Sequence, residues 1–257
     1  MGAPIKLISG KEAQEIEPGL NNSVRSAAWC AKDGFTSAYL TGHAFKKALS
    51  QENSEVMEYS KVRGIEIVKN NFKIFLENNE DITAKRIVLA GGVWLEEMLS
   101  WLNVKIPIKC LINQLIITER MPTVMKTVLS IANGLLSLKQ FDNGTILIGG
   151  GWQGLGDKER GGVEAIPENL RGNIRLACHA IPELRSGRMV RVWLGLEAET
   201  ADALPLIGNV PGISNAYVIG SVHSGYTSGP YMGWLLSQFI MGQETDMPLF
   251  EPSRLIN

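Results

Sequence analysis

The chain has 257 residues and a nearly balanced charge, 25 lysines and arginines against 26 aspartates and glutamates, with three scattered cysteines. That size supports one or two stable domains, and with neither charge sign clustered, nucleic acid and anionic membrane are poor partners. Cys30, Cys110 and Cys178 form no C-x-x-C pair, which fits a reducing cytoplasm and no structural zinc or other metal site, and no apolar run is long enough to span a bilayer.

Met1 to Leu20 reads as a loop, a helix from Lys11 to Ile16 capped by Ser9 or Gly10, and a Pro-Gly turn. Asp33-Gly34 marks the next turn. A helix follows from Tyr39 to Leu49, with Leu40, Ala44 and Ala48 on one face and Phe45 and Leu49 beside them. His43 lies on it without a nearby acidic residue and reads as structural.

Strands are expected at Ser54–Lys61, at Gly64–Val68 and Phe72–Leu76 paired across Asn70-Asn71, and at Arg86–Ala90. The last runs into Gly91 and Gly92 before a helix carrying Leu95, Met98, Leu99 and Leu102. Glycines there let backbone approach a ligand; an ordinary strand-to-helix turn is the alternative. Lys105–Glu119 is β-rich, and two strands flank the turn Asp142-Asn143-Gly144. Gly149, Gly151 and Gly154 have G-x-G-x-x-G spacing, but no amphipathic helix follows. Pro167–Ile181 is a helix with Leu170, Ile174, Ala177 and Ile181 on one side; Cys178 and His179 near its end are packing or capping residues.

The stretch from Arg191 to Ile240 organises the rest. It holds a strand at Ala216–Ile219, a Gly/Ser-rich loop from Gly220 to Gly229, and a helix opened by Pro230 with Ser228 or Gly229 as cap. Met232, Leu235, Leu236, Phe239 and Ile240 give that helix a buried face, and Gly242 stops it. Free N–H groups at such a helix start favour a negative or electron-rich ligand.

Trp193, Gly195 and Leu196, then Thr200, Asp202, Pro205, Ile207 and Gly208, then Gly225, Pro230 and Gly233 fall on the pattern W-x-G-L, T-x-D-x-x-P-x-I-G, Gly-rich loop and helix. The run resembles the C-terminal signature of the FAD-dependent D-amino acid oxidase superfamily, which includes glycine oxidase, sarcosine oxidase and flavin subunits of amine, opine and hydroxyproline dehydrogenases. The resemblance implies a mixed α/β fold: a Rossmann-like FAD-binding domain, expected over 30–94 and 193–257, and a substrate-binding domain with a largely antiparallel sheet over 1–29 and 95–192. The family's opening strand, G-x-G-x-x-G and helix have no counterpart, so the chain resembles the last two thirds of a member lacking its first βαβ unit.

The same resemblance implies residue roles. Val62 takes the position whose backbone meets the adenine of FAD, and Gly91, Gly92 and Trp94 stand where backbone nears the pyrophosphate or ribityl chain. His223, Ser224, Gly225, Tyr226 and Thr227 close the flavin site; Tyr226 and His223 are the candidate catalytic side chains. Ile112-Asn113-Gln114 replaces a usual Arg-Gly-Gln, which puts Gln114 in the substrate pocket and removes an arginine. Glu197 stands where oxidases of small amino acids place a carboxylate-clasping arginine, leaving Arg191 as the cation nearby in sequence. The implied activity is oxidation of a C–N bond of an amino acid or secondary amine by hydride transfer to FAD, with partner dehydrogenase subunits. The alternative is a cofactor-free fragment or non-catalytic partner subunit; a tRNA-modifying flavoprotein is disfavoured by the lack of a basic patch.

Overall fold

The computed structural model describes residues 4–158, 162–221 and 223–256. Contacts divide the chain into two compact units, Met1–Ser54 with Ile112–Gly195 and Glu55–Leu111 with Leu196–Asn257. The breaks fall after Ser54, Leu111 and Gly195, where the sequence suggested Trp29, Trp94 and Val192. The second shift has a plain cause: Leu95, Leu99, Leu102, Ile106 and Ile108 are buried in one core with Leu89 and Val218.

The first segment contains β1 (Ile5–Ser9), α1 (Gly10–Ile16), β2 (Ser26–Cys30) and α2 (Ala38–Gln51). β1 and β2 pair antiparallel. Ser9 is the cap of α1: its hydroxyl accepts from the Glu12 N–H at 3.3 Å while the Glu12 carboxylate accepts from the Ser9 N–H at 2.8 Å. A Cβ on Gly10 would stand 2.0 Å from the Val24 carbonyl oxygen, so only glycine fits against the backbone that leads into β2. α2 forms as its periodicity predicts, yet none of its residues is buried. Periodicity gives the apolar face but not the surface that covers it.

The next segment gives β3 (Val62–Val68), β4 (Asn71–Leu76), β5 (Asp81–Ala84), β6 (Ile87–Leu89) and α3 (Leu95–Ser100). β3, β4 and β5 form an antiparallel sheet. Its first turn is Lys69-Asn70, both left-handed at φ 49° and 65°, one residue earlier than predicted, so Asn71 pairs with Val68. The strand predicted at Ser54–Lys61 does not form. Its backbone is irregular, with Tyr59 left-handed and fully exposed, so no ladder is extended there.

Then come β7 (Lys109–Thr118), β8 (Leu129–Ser130), β9 (Ser137–Gln140), β10 (Ile146–Gly149), β11 (Leu155–Asp157), β12 (Gly162–Glu164), α4 (Pro167–Ala180) and β13 (Met189–Glu199). Five strands make one sheet in the order β13-β7-β10-β9-β8. Ile112, Gln114, Ile116 and Thr118 alternate to the buried face of β7. Ile116, Leu138, Ile146 and Ile148 share a core with Ala177 of α4 and with Ile181. The predicted turn at Asp142-Asn143-Gly144 joins β9 and β10, and Gly149, Gly151 and Gly154 lead into β11 rather than a helix.

The last segment holds β14 (Leu206–Asn209), β15 (Ala216–Gly220) and α5 (Gly225–Ile240). β15 pairs antiparallel with β14 and parallel with β6, with Ala216 opposite Ile87 and Val218 opposite Leu89. α5 buries Met232, Leu235 and Leu236 against Ile207. It starts at Gly225, five residues before the expected Pro230, which lies inside the helix. Ser224 O accepts from the N–H groups of Thr227 and Ser228 at 3.0 and 3.3 Å, so the small Gly/Ser residues wind the first turn before proline is reached. The fold is thus mixed α/β with a largely antiparallel sheet in one unit. Among the described residues, no helix is long and apolar enough to cross a membrane.

Candidate functional site

The parallel pairing of β6 and β15 brings their carboxyl ends side by side, β6 leading into Ala90-Gly91-Gly92 and β15 ending in Gly220. Such ends of parallel strands are where open α/β sheets place ligands. Gly92 follows β6 with φ +57°, and a Cβ built on it would meet nothing within 4 Å. It faces open space in a conformation that favours glycine. Gly91 is glycine for another reason: its Cβ would lie 2.2 Å from the Met98 sulfur of α3. Trp94 ends the short 3-10 turn after Gly92 and is half exposed.

At the end of β15, Gly220 has φ +141° and Ser221 φ +51°. Ser221 is buried, and its hydroxyl has no hydrogen-bond partner among the described residues. A buried hydroxyl without a partner costs about 1–3 kcal/mol, so an unfilled one at a strand end marks a place where a polar group fits. Val62 opens β3 opposite Leu76, half-buried, at a register break before Gly64.

The start of α5 is occupied by the chain itself. Ser224, left-handed at φ 63°, donates its N–H to Glu197 Oε1 at 3.0 Å, and Glu197 Oε2 lies 3.2 Å from His223 Nδ1. A carboxylate at a helix N-terminus meets both the unpaired N–H groups and the partial positive charge of the dipole. Of the loop donors expected to face a flavin, the Ser224 N–H therefore goes to Glu197 and the Thr227 N–H to Ser224 O. The Tyr226 and His223 side chains are exposed.

Val62, Gly91, Gly92, Trp94, Glu197 and the loop from His223 to Thr227 belong to one unit; Gln114 and Arg191 belong to the other. Gln114 is buried on β7. Its Oε1 accepts from the Ile166 N–H at 2.7 Å, and its Nε2 has no partner among the described residues. Arg191 is exposed on β13. The other histidines sit elsewhere: His43 packs edge-on to Tyr39, and His179 lies 3.5 Å from the Ser23 hydroxyl.

Two features escaped the sequence. Ser221 carried no signal, because its burial follows from the tertiary packing around β15. The T-x-D pattern was visible, but its role was not: Thr200 donates to the Leu204 carbonyl at 2.6 Å, and Asp202 accepts from the Leu204 N–H at 3.1 Å and from Arg254. The Arg254 guanidinium holds the Asp202 carboxyl well below the usual carboxylate range, outweighing burial, the next-largest effect, which opposes it, and the Leu204 N–H adds to the lowering.

The profile of the FAD dependent oxidoreductase family, DAO, matches residues 1–239. An opine oxidase subunit of Rhizobium meliloti is 24% identical over 253 residues, covering 96% of this chain and 64% of the relative. Hydrogen cyanide synthase subunit HcnC of Pseudomonas aeruginosa is 26% identical over 252 residues, covering 95% and 58%. Among solved structures, L-proline dehydrogenase from P. horikoshii superposes with a TM-score of 0.90 at 26% identity, over 98% of this chain and 69% of that one. The chain thus spans less than two thirds of the length of either curated relative.

Proposed function

This chain belongs to the DAO family of FAD-dependent oxidoreductases, and from that premise we propose that, within a complete protein, it oxidises a C–N bond of an amino acid or secondary amine. The observation that carries the reading is the paired carboxyl edge of β6 and β15, with Gly92 open on one strand end and the Ser221 hydroxyl unpartnered on the other. That edge fits a flavin dinucleotide on both counts: backbone can approach without obstruction, and a buried hydroxyl awaits a polar group.

On this reading Val62, Gly91, Gly92, Trp94 and Ser221 hold the cofactor, and the loop from His223 to Thr227 closes over it. When bound, the flavin supplies the two-electron acceptor. The 55–111 and 196–257 unit is then the FAD-binding part, and the unit with the five-stranded sheet, Gln114 included, is the substrate-binding part.

Glu197 supports an amine, opine or hydroxyproline-like substrate over glycine. Both its oxygens face the start of α5, so the position offers a small amino acid's carboxylate no cationic clasp. Arg191 lies six residues earlier on the same strand. Two relatives are named as subunits, which supports assembly with partner subunits.

The test is to purify the complete protein, confirm flavin by its visible absorbance, and mix it anaerobically with glycine, sarcosine, D-proline and opines. Bleaching by an opine or secondary amine is expected. Rapid bleaching by glycine overturns the substrate class, and a colourless protein that takes up no added FAD overturns the function.

A further inference from the structure

We propose that His223 is the base that deprotonates the amine substrate and that Glu197 is the residue that positions it; this rests on the function proposed above. Glu197 Oε2 stands 3.2 Å from His223 Nδ1. A carboxylate can only accept, so pairing with it favours the tautomer that carries the proton on Nδ1. In the neutral imidazole that leaves Nε2 as a bare lone pair. The His223 side chain is 65% exposed and its Nε2 has no partner among the described residues, so that lone pair is open to a ligand.

Glu197 is well placed to impose this tautomer. Its side chain is only 20% exposed, it projects from the ordered strand β13, and its second oxygen is held by the Ser224 N–H at 3.0 Å. With one oxygen anchored to the Ser224 N–H, the other is held toward the His223 ring and orients it. His223 itself sits on the short connection between β15 and α5, two residues after Ser221 with its unpartnered hydroxyl.

The chemistry needs such a group. Aliphatic amines, like the lysine side chain, are protonated near neutral pH. Hydride leaves the carbon only when the nitrogen lone pair is free to form the C=N bond. One N–H bond of the ammonium must break first: the proton passes to His223 Nε2, the electron pair stays on nitrogen, and the resulting imidazolium remains paired with Glu197. Flavin, when bound, would supply the acceptor for the hydride and its two electrons.

A structural role for the couple would need only a donor at the Nδ1 position. His223→Asn supplies that donor and removes Nε2, whereas His223→Gln places its amide near the Nε2 position. The flavin-loaded complete protein is mixed anaerobically with the secondary amine that best reduces the wild type. The Asn variant is expected to bind FAD as the wild type does and to be reduced roughly a hundredfold more slowly. Independently of activity, long-range proton–nitrogen NMR of the three histidines, assigned with the Asn variant, is expected to show His223 as the Nδ1–H tautomer in the wild type and to lose that tautomer in Glu197→Gln. An Nε2–H tautomer in the wild type, or an Asn variant reduced at the wild-type rate, overturns the proposal. If no amine reduces the wild type, the functional reading falls instead, whatever the tautomer.

Discussion

Arg254 grips Asp202 with two nitrogens of one guanidinium, Nε to Oδ2 at 2.8 Å and Nη2 to Oδ1 at 3.1 Å, across a separation of 52 residues. The same side chain donates to the carbonyls of Leu204, Phe250 and Glu251. It thereby ties the closing turn Pro252–Leu255 to the loop after β13, while the Phe250 carbonyl also accepts from the Ile207 N–H of β14 at 3.2 Å. Lysine keeps the charge but not the planar fork. Arg254→Lys should therefore cost nearly as much as Arg254→Ala, about 1–2 kcal/mol, read as a lower urea midpoint. A lysine variant with wild-type stability would show that the fork is unimportant.

Acid should weaken this clasp in a defined direction. Arg254 keeps the folded-state pKa of Asp202 below its unfolded value of about 4, so the contribution is complete above that pH and fades as pH falls below it. Asp202→Asn should be less stable near neutrality, and its stability should change less from pH 5 to pH 3. The pair is partly exposed, so high salt should narrow the difference. Parallel acid profiles for the two proteins would refute the assignment.

Glu17 is buried, yet its Oε2 accepts from the N–H groups of Lys126 and Thr127 at 2.7 and 2.8 Å and from the Thr127 hydroxyl at 2.9 Å. Glu17→Ala strands two half-buried backbone donors and should cost about 1–3 kcal/mol. Glu17→Gln, which keeps one carbonyl acceptor, should cost less. Hydrogen exchange at Lys126 and Thr127 should quicken in step; unchanged protection there would mean that other groups hold the segment.

Gly91 and Gly92 should separate packing from binding. Gly91→Ala drives a methyl into Met98 and should cost about 1–3 kcal/mol, partly regained with Met98→Ala in the same chain. Gly92→Ala meets no atom but adopts a left-handed backbone, costing about 1 kcal/mol. Titrating FAD fluorescence should show Gly92→Ala weakening the cofactor beyond its loss of folded protein, and Gly91→Ala only in proportion to it. Equal proportional losses would remove Gly92 from the site.

Much of the local structure was readable because it depends on neighbours in sequence. The cap at Ser9, the helix at Pro167–Ala180, the turn at Asp142-Asn143-Gly144 and the buried face of α5 follow from periodicity and backbone sterics. Where those signals conflicted, the reading slipped. Proline at 230 suggested a helix start, but the glycine and serine before it were free to wind the preceding turn. The run from Ser54 to Lys61 had strand-like residues but no partner to pair with.

By itself the sequence determined most of the helices and several strands, their apolar faces, and, through its spaced motifs, the family. The tertiary structure alone decided that β6 and β15 run side by side, that Ser221 is buried without a partner, that Glu197 turns to His223 and Ser224, and that Arg254 reaches Asp202. Hydrogen bonds act over about 3 Å, whereas these partners stand tens of residues apart in the chain. Pattern along a sequence records a preference for burial or for a backbone angle; only the folded path selects the atom that answers it.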